Sequence, residues 1–462
     1  MSPDPCGIHD SVETPTATAK ADVKGATVNP CTLCAPLGAV LATSGIEGAM
    51  ALLHGAQGCA TYIRRYLISH FREPIDVASS SFGESETVFG GESNLAKALD
   101  NVARQYRPKL VTIATTCVAE TVGEDVSLIL SRYRSTREAS VEAVSAATPS
   151  YRDGHVEGYH AMVRAVLQAQ SLDAGSPLPQ VNLLAPILSP ADLRHLRELV
   201  EAFASRAVIL PDYSETLDGG IADSYRALPS GGTQLADIRS MARSLATIDL
   251  TMTGKAARAA DILRAKGSDV RTLELPIGIR ATDNFVAVLE RATGRSCPEW
   301  LSRERARLLD AYADGHKYVF GKRVAVYGDP EFVVAVAKFL LEVGARPVVC
   351  ATGARNRTLT AALAELQPER VEEVLDDTDF TRLQRACERT KVELAIGNSK
   401  GYLMTRVLGI PLLRAGFPIH DRIGAARLLS VGYRGTLVLF DTLVNTLLSA
   451  KQESSTVGFS YL

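Results

Sequence analysis

The sequence predicts an α/β protein built from three doubly wound, Rossmann-like domains with parallel sheets. Two observations carry that expectation. Apolar runs of four or five residues recur along the chain, the length of a strand buried on both faces. Most are followed by a polar or glycine turn and then an amphipathic stretch, the alternation that produces βαβ units. The length of 462 residues holds about three domains at ~100–200 residues each.

Residues 1–28 are rich in Pro, Thr, Ala, Asp and Lys, lack aromatic residues, and read as a flexible or surface-lying tail. The first domain is expected over 29–170, with its strand at Leu110–Ala114 (LVTIA). The second is expected over 171–290. It has strands at Val181–Leu184 (VNLL) and Ala207–Leu210 (AVIL), with an amphipathic helix at Ser189–Phe203 between them. A helical bridge over 291–317 follows from the charged segment Glu299–Tyr318. The third domain and a C-terminal tail are expected over 318–462. Its strands are Arg323–Tyr327 (RVAVY), Pro347–Cys350 (PVVC) and Glu393–Ile396 (ELAI), with a helix at Pro330–Val343. Ligands of such folds sit beyond the carboxyl ends of strands. The informative loops are therefore Thr115–Cys117, Pro211–Asp218, Gly328–Asp329 and Gly397–Lys400.

Composition removes several function classes. The 50 Lys+Arg against 52 Asp+Glu leave a net charge of −2, so no nucleic-acid partner is expected. No apolar run reaches the ~18 residues of a membrane span. The best candidates are interrupted by Glu47 and by Lys338 and Glu342. The N-terminus lacks an apolar secretion signal. A cytoplasmic protein with no membrane partner and reduced thiols is expected. Neither a Walker A sequence nor G-x-G-x-x-G occurs, so nucleotide binding by this chain alone is not expected.

Eight cysteines remain: Cys6, Cys31, Cys34, Cys59, Cys117, Cys297, Cys350 and Cys387. Cys31 and Cys34 form a C-x-x-C in NPCTLCAPLGA, a weak signal for redox chemistry, metal or neither. Cys59 lies in HGAQGCATY, and Cys117 lies in TTCVAETVGED directly after an expected strand. Loops of small residues suit an iron–sulfur cluster, where thiolates hold iron and backbone N–H groups bond sulfide. The competing reading is a set of inert buried thiols, the expectation for Cys297, Cys350 and Cys387. A four-iron cluster usually takes four Cys ligands. Three from this chain leave a deficit that a partner chain, bridging thiolates or a non-Cys ligand could close, and a cluster at a subunit interface is the expectation.

The segments NPCTLCAPLGA, HGAQGCATYIRRYLISHFREP, ETVFGG and TTCVAETVGED resemble the β-type subunit of nitrogenase component 1 and its relatives. The similarity continues through TPS at 148–150, PIGIRATDNF at 276–285, HKYVFGKRVAVYGDP at 316–330, IGNSKG at 396–401 and RAGFPIHDR at 414–422. It covers nearly the whole chain after residue 28.

The resemblance implies that Cys34, Cys59 and Cys117 supply half of a P-cluster, an eight-iron cluster shared with an α-type partner. The alternative is a four-iron four-sulfur cluster. Ser150 matches a serine that ligates the oxidised P-cluster, and otherwise is a turn hydroxyl. Cys31 has no counterpart among the ligands and is either a neighbouring thiol or a competitor for iron. Ala56 stands where the family commonly has serine. Tyr62 matches a tyrosine near the cluster, or simply packs. Phe89 matches an exposed phenylalanine where the ATP-dependent iron protein docks, or is a core aromatic. Glu73, Asp310 and Asp314 match a calcium or iron site joining β subunits of an α2β2 heterotetramer, or form a solvated acidic face.

The family's catalytic cofactor is held by a Cys and a His of the α-type subunit. Neither motif is present here, His316 and His420 read as structural, and the chain is expected to relay electrons. The NPC-x-x-C start, the IRRYLISHFREP stretch and the VGFSYL ending resemble the methylthio-alkane reductase group, implying reductive C–S cleavage of small methylthio-alkanes. The alternatives are the assembly scaffold of the iron–molybdenum cofactor and conventional dinitrogen-reducing component 1.

Overall fold

A computed structural model describes residues 29–136, 141–221, 223–224, 226–251, 258–354, 358–366 and 370–456. The expected tail at 1–28, Cys6 and the VGFSYL ending lie outside the described residues.

Three parallel sheets form the architecture. The first contains β1 (Ala49–His54), β2 (Ala78–Ser79), β3 (Leu110–Thr115) and β4 (Ala143–Ala146) in the order β2-β1-β3-β4. The second contains β5 (Leu178–Leu184), β6 (Arg206–Leu210), β7 (Ser244–Asp249) and β8 (Val270–Thr272) in the order β6-β5-β7-β8. The third contains β9 (Arg323–Tyr327), β10 (Arg346–Ala351), β11 (Glu373–Leu375), β12 (Leu394–Gly397) and β13 (Leu412–Arg414) in the order β11-β10-β9-β12-β13. Each sheet is doubly wound: strand order reverses direction beside its first strand, which opens a crevice at the strand ends.

All six expected strands are present, with Glu393–Ile396 shifted to Leu394–Gly397. The helix expected at Ser189–Phe203 runs over Pro190–Glu201. Ser189 is its N-cap and accepts the Asp192 N–H at 2.9 Å. β1 was not anticipated. The apolar stretch on either side of Glu47 divides into a helix and a strand, because the chain turns at Gly45–Gly48.

In the first unit the helices are α1 (Ala35–Ser44), α2 (Gln57–Phe71), α3 (Glu84–Phe89), α4 (Glu92–Tyr106), α5 (Cys117–Val122), α6 (Val126–Ser135) and α7 (His155–Ala169). α1 is buried from Ala35 to Thr43 and packs on α7 backbone to backbone. A Cβ on Gly38 would lie 1.7 Å from the His155 carbonyl oxygen, and one on Gly158 would lie 1.9 Å from that of Ala35. The charged helix Glu299–Val319 packs on the C-terminal helix Gly432–Glu453, with the Tyr312 and Phe440 rings 4.9 Å apart. No helix among the described residues is long and apolar enough to cross a membrane.

One apolar core runs through all three units, and His70 sits inside it. Its Nδ1 accepts the Ile419 N–H at 2.8 Å, and its ring meets Phe417 at 4.8 Å. Burial, reinforced by nearby His420, pushes the imidazole down to about 3. The neutral ring is therefore the folded form. Stability is complete above the unfolded value near 6.5 and falls as pH drops toward 3. The expected slope from this group is about 1.4 kcal/mol per pH unit. Urea midpoints between pH 7 and 4 should fall accordingly, and His70→Gln, which keeps an acceptor, should flatten the acid limb. An unchanged limb in that variant would remove His70 as its cause.

Candidate functional site

The crevice of the first sheet opens between the adjacent strands β1 and β3, in register from Ala49↔Leu110 to His54↔Thr115. Both strands feed cysteine loops at this point. The Thr116 N–H donates to the His54 carbonyl at 3.0 Å, which locks the two exits together. Gly55 holds φ +151, and a Cβ there would lie 1.8 Å from Thr116 Oγ1, so only glycine allows the loops to touch. After Gly55 the chain enters α2 with Cys59 in its first turn, and after Thr116 it enters α5 at Cys117 itself.

Cys34 arrives from outside the sheet as the N-cap of α1. It forms an antiparallel bridge with Gly154. Ser150 joins it to the other loops: its Oγ accepts the Ala35 N–H at 3.1 Å, and its own N–H donates to Cys117 Sγ at 3.3 Å. Thr148 anchors this segment, its Oγ1 donating to the Thr115 carbonyl at 2.6 Å. The TPS segment thus places a hydroxyl and a backbone donor at the thiols.

All three thiols are half-buried at the same opening. Burial pushes Cys34 up to about 11; the Leu37 N–H opposes this, and the Cys59 and Cys117 sulfurs add to it. Cys59 is also raised, first by burial and then by Cys117. Such thiols stay protonated at neutral pH until a metal displaces the protons. Among the described residues no three His, Cys, Asp or Glu side chains close on a single ion. The Cys59 and Cys117 sulfurs both act on Cys34, and Cys117 acts on Cys59. A Cβ on Gly58 would meet nothing within 4 Å, which leaves room beside Cys59, and the buried Thr116 Oγ1 has no hydrogen-bond partner.

Cys31 points elsewhere. It is buried in the core of the third sheet with Tyr327, Phe380 and Cys387, and burial pushes it up to about 12. Lys400 pins this turn, Nζ donating to the carbonyls of Pro30 at 2.6 Å and Thr32 at 3.1 Å. Cys350 and Cys387 are likewise buried, and Cys297 is half-buried.

Phe89 ends α3 and is 87% exposed, beside Val88 at 72%. The core reading of Phe89 is thereby removed. Gly91, two residues on, donates its N–H to Glu124 Oε1 at 2.7 Å. Glu124 Oε2 lies 3.3 Å from Nε2 of the buried His54 at the end of β1. The exposed hydrophobic tip is therefore tied to the crevice. Sequence reasoning missed His54 and Glu124; their signal was position, at a strand exit and just after a cysteine helix.

Tyr62 is 44% exposed and stacks near Tyr66, with ring centroids 4.6 Å apart. Tyr66 meets His420 at 4.9 Å, and His420 Nδ1 is 2.6 Å from Ser69 Oγ. Ala56 is the N-cap residue of α2 and supplies no side-chain cap. His316 lies on an exposed helix face against Phe320.

The expected cation ligands do not meet within one chain. Asp310 and Asp314 are exposed on the helix Glu299–Val319. Glu73 is half-buried at the end of α2 and is raised by burial and then by Asp218. A site using all three needs a second chain.

Three parallel Rossmann-like sheets, with three half-buried thiols near the β1/β3 switch point, define the class by architecture. The nitrogenase component 1 type oxidoreductase family matches residues 34–448. The chain belongs to that family. It is 36% identical to the nitrogenase molybdenum-iron protein beta chain of Methanothermobacter thermautotrophicus, over 91% of this chain and 94% of that one. It is 34% identical to the protein of the same name from Clostridium pasteurianum, over 94% and 96%. The solved structure "Nitrogenase Cp1 at pH 6.5" superposes with a TM-score of 0.90 at 33% identity, covering 96% of this chain and 98% of that one. A chain of "Nitrogenase Cp1 at pH 5" shares the fold at a TM-score of 0.70 and 14% identity.

Proposed function

We propose that this chain is the β-type half of a nitrogenase-like reductase, passing electrons from an ATP-dependent iron protein through a shared iron–sulfur cluster to a cofactor in an α-type partner. The observation that carries this reading is the meeting of Cys34, Cys59, Cys117 and Ser150 at one open crevice. The donor set fits a P-cluster-like eight-iron cluster: three soft thiol ligands and space beside Gly58. When bound, such a cluster stores and releases electrons.

The chain's own contribution is to hold three ligands, supply the Ser150 N–H to the Cys117 sulfur, and leave one side open for the partner's ligands. Phe89 offers the iron protein an apolar anchor, which Gly91, Glu124 and His54 tie to the crevice. Glu73 of one β chain with Asp310 and Asp314 of another would hold a calcium or iron ion in an α2β2 assembly. The proposed setting is cytoplasmic, and the domain limits proposed are 29–170, 171–290 and 318–462, with 291–317 as the helical bridge.

For the substrate we favour small methylthio-alkanes, because the NPC-x-x-C start and IRRYLISHFREP stretch resemble that group. The reaction adds two electrons and two protons across a C–S bond, giving a hydrocarbon and methanethiol. Dinitrogen reduction is the second reading, favoured by the names of the relatives. The assembly-scaffold reading is weakened by the gathering of three thiols here, since a four-iron site would draw fewer from this chain.

The test supplies the anaerobic complex with iron protein and ATP, and offers ethyl methyl sulfide, dinitrogen and acetylene separately. Methanethiol release is the expected result; ammonia without methanethiol would select the second reading. About eight cluster irons per αβ pair, beyond the cofactor, are expected; about four would favour the scaffold. Phe89→Ala should raise the iron-protein KM about tenfold with cluster content unchanged. Unaltered titration curves would rule out docking at this tip.

A further inference from the structure

Beside the thiol site, a cavity of about 660 Å3 lies between α7 and the carboxyl ends of the second sheet. β5 reaches its wall at Leu184, β6 at Leu210, and the residue Thr251 follows β7 into it. Open parallel sheets take ligands at these ends, and the volume is in the range of small-molecule sites. Its lining includes the apolar residues Ala146, Val156 and Val163. It also includes Arg152, His160, Arg164 and Arg258.

Arg152, Arg164 and Arg258 face this space, with Asp153, Glu157 and Asp249 beside them and Glu331 behind His160. Asp153 pairs with Arg152 at 3.0 Å, and Asp249 pairs with Arg258 at 3.3 Å. Glu157 accepts the Gly154 N–H at 3.1 Å. Each of these acids has its donor. His160 and Arg164 are one helical turn apart and share a face of α7. His160 Nε2 is buried, makes no hydrogen bond, and finds only Glu331 Oε1 at 3.7 Å. Arg164 Nε is buried with no hydrogen-bond partner. A buried N–H without an acceptor is costly, and a guanidinium more so.

We propose that this cavity binds a small organic anion, its carboxylate or phosphate group received by Arg164 and His160 and its apolar body laid against Ala146, Val156 and Val163. The shared chemistry is an oxyanion on a small apolar frame. The cavity adjoins the thiol site, sharing Ala35 and Thr148 with its surroundings, and the inference rests on the function proposed above only for the αβ assembly in which it is tested.

The test is calorimetric titration of the intact αβ complex with phenyl phosphate and, separately, with benzoate, in a buffer free of other oxyanions. One saturable site per β-type chain is expected for at least one probe, and the better probe assigns the head group. Arg164→Gln should weaken it at least tenfold, and Arg164→Lys should recover part of the loss. A measurement on the unaltered complex covers the case of a variant that fails to assemble: the bound probe should slow phenylglyoxal modification of Arg164, read by peptide mass spectrometry. Absence of saturable binding by both probes, binding indifferent to Arg164→Gln, or modification of Arg164 unprotected by a binding probe would each overturn the proposal.

Discussion

Cys59→Ala is expected to lower iron-protein-dependent turnover by about 100-fold or more, the scale set by changes around metal ligands. Cys59 sits in the first turn of α2, half-exposed, where alanine is a good helix former. The variant should therefore fold and assemble. What it loses is one of three thiols around the crevice, while Cys34 and Cys117 remain joined through Ser150. Cluster iron and its spectroscopic signal should fall with the activity, and the partner's cofactor should stay loaded. Full activity with a full complement of cluster iron would sink the assignment of Cys59 as a ligand.

Gly158→Ala is expected to destabilise the chain by about 3 kcal/mol or more, at the upper end of overpacking costs. Helix propensity alone gives the opposite sign, since alanine in a helix interior is favoured over glycine by about 1 kcal/mol. Packing decides the outcome. The new Cβ would lie 1.9 Å from the Ala35 carbonyl oxygen, and that oxygen belongs to the backbone of a helix buried along its length. Gly38 stands in the reciprocal position, 1.7 Å from the His155 oxygen. Relief requires α1 to move off α7, and α1 carries Cys34 at its N-cap. Loss of cluster iron should accompany the lower urea midpoint. A variant as stable as the parent, with iron retained, would refute the close approach of these helices.

Much of the fold was legible because buried parallel strands are apolar on both faces. Runs such as RVAVY and AVIL became β9 and most of β6. The strands that escaped notice lack that texture. β4 is Ala-Val-Ser-Ala, and β7, Ser-Leu-Ala-Thr-Ile-Asp, ends in a carboxylate that the fold buries. β1 was concealed by its neighbour, since α1 and β1 are equally apolar and only a short turn divides them. Phe89 read as a docking residue by resemblance, but periodicity could not exclude a core position; its 87% exposure does. Cys31 is the opposite case. It lies three residues before Cys34 in the same motif, yet the turn sends its side chain into the third sheet, where Lys400 fastens the backbone.

The sequence by itself determined the class of the sheets, the position of most strands, and the residue types able to hold iron. These are local properties: a run's apolarity and a thiol's softness do not depend on what lies far along the chain. Only the tertiary structure decided which thiols share a space, which one is diverted to the core, that Glu73 stands apart from Asp310 and Asp314 in a single chain, and that the buried Arg164 Nε is left without an acceptor. Those facts depend on the register of β1 against β3 and on the backbone contact of α1 with α7, where residues distant in sequence are fixed by close packing.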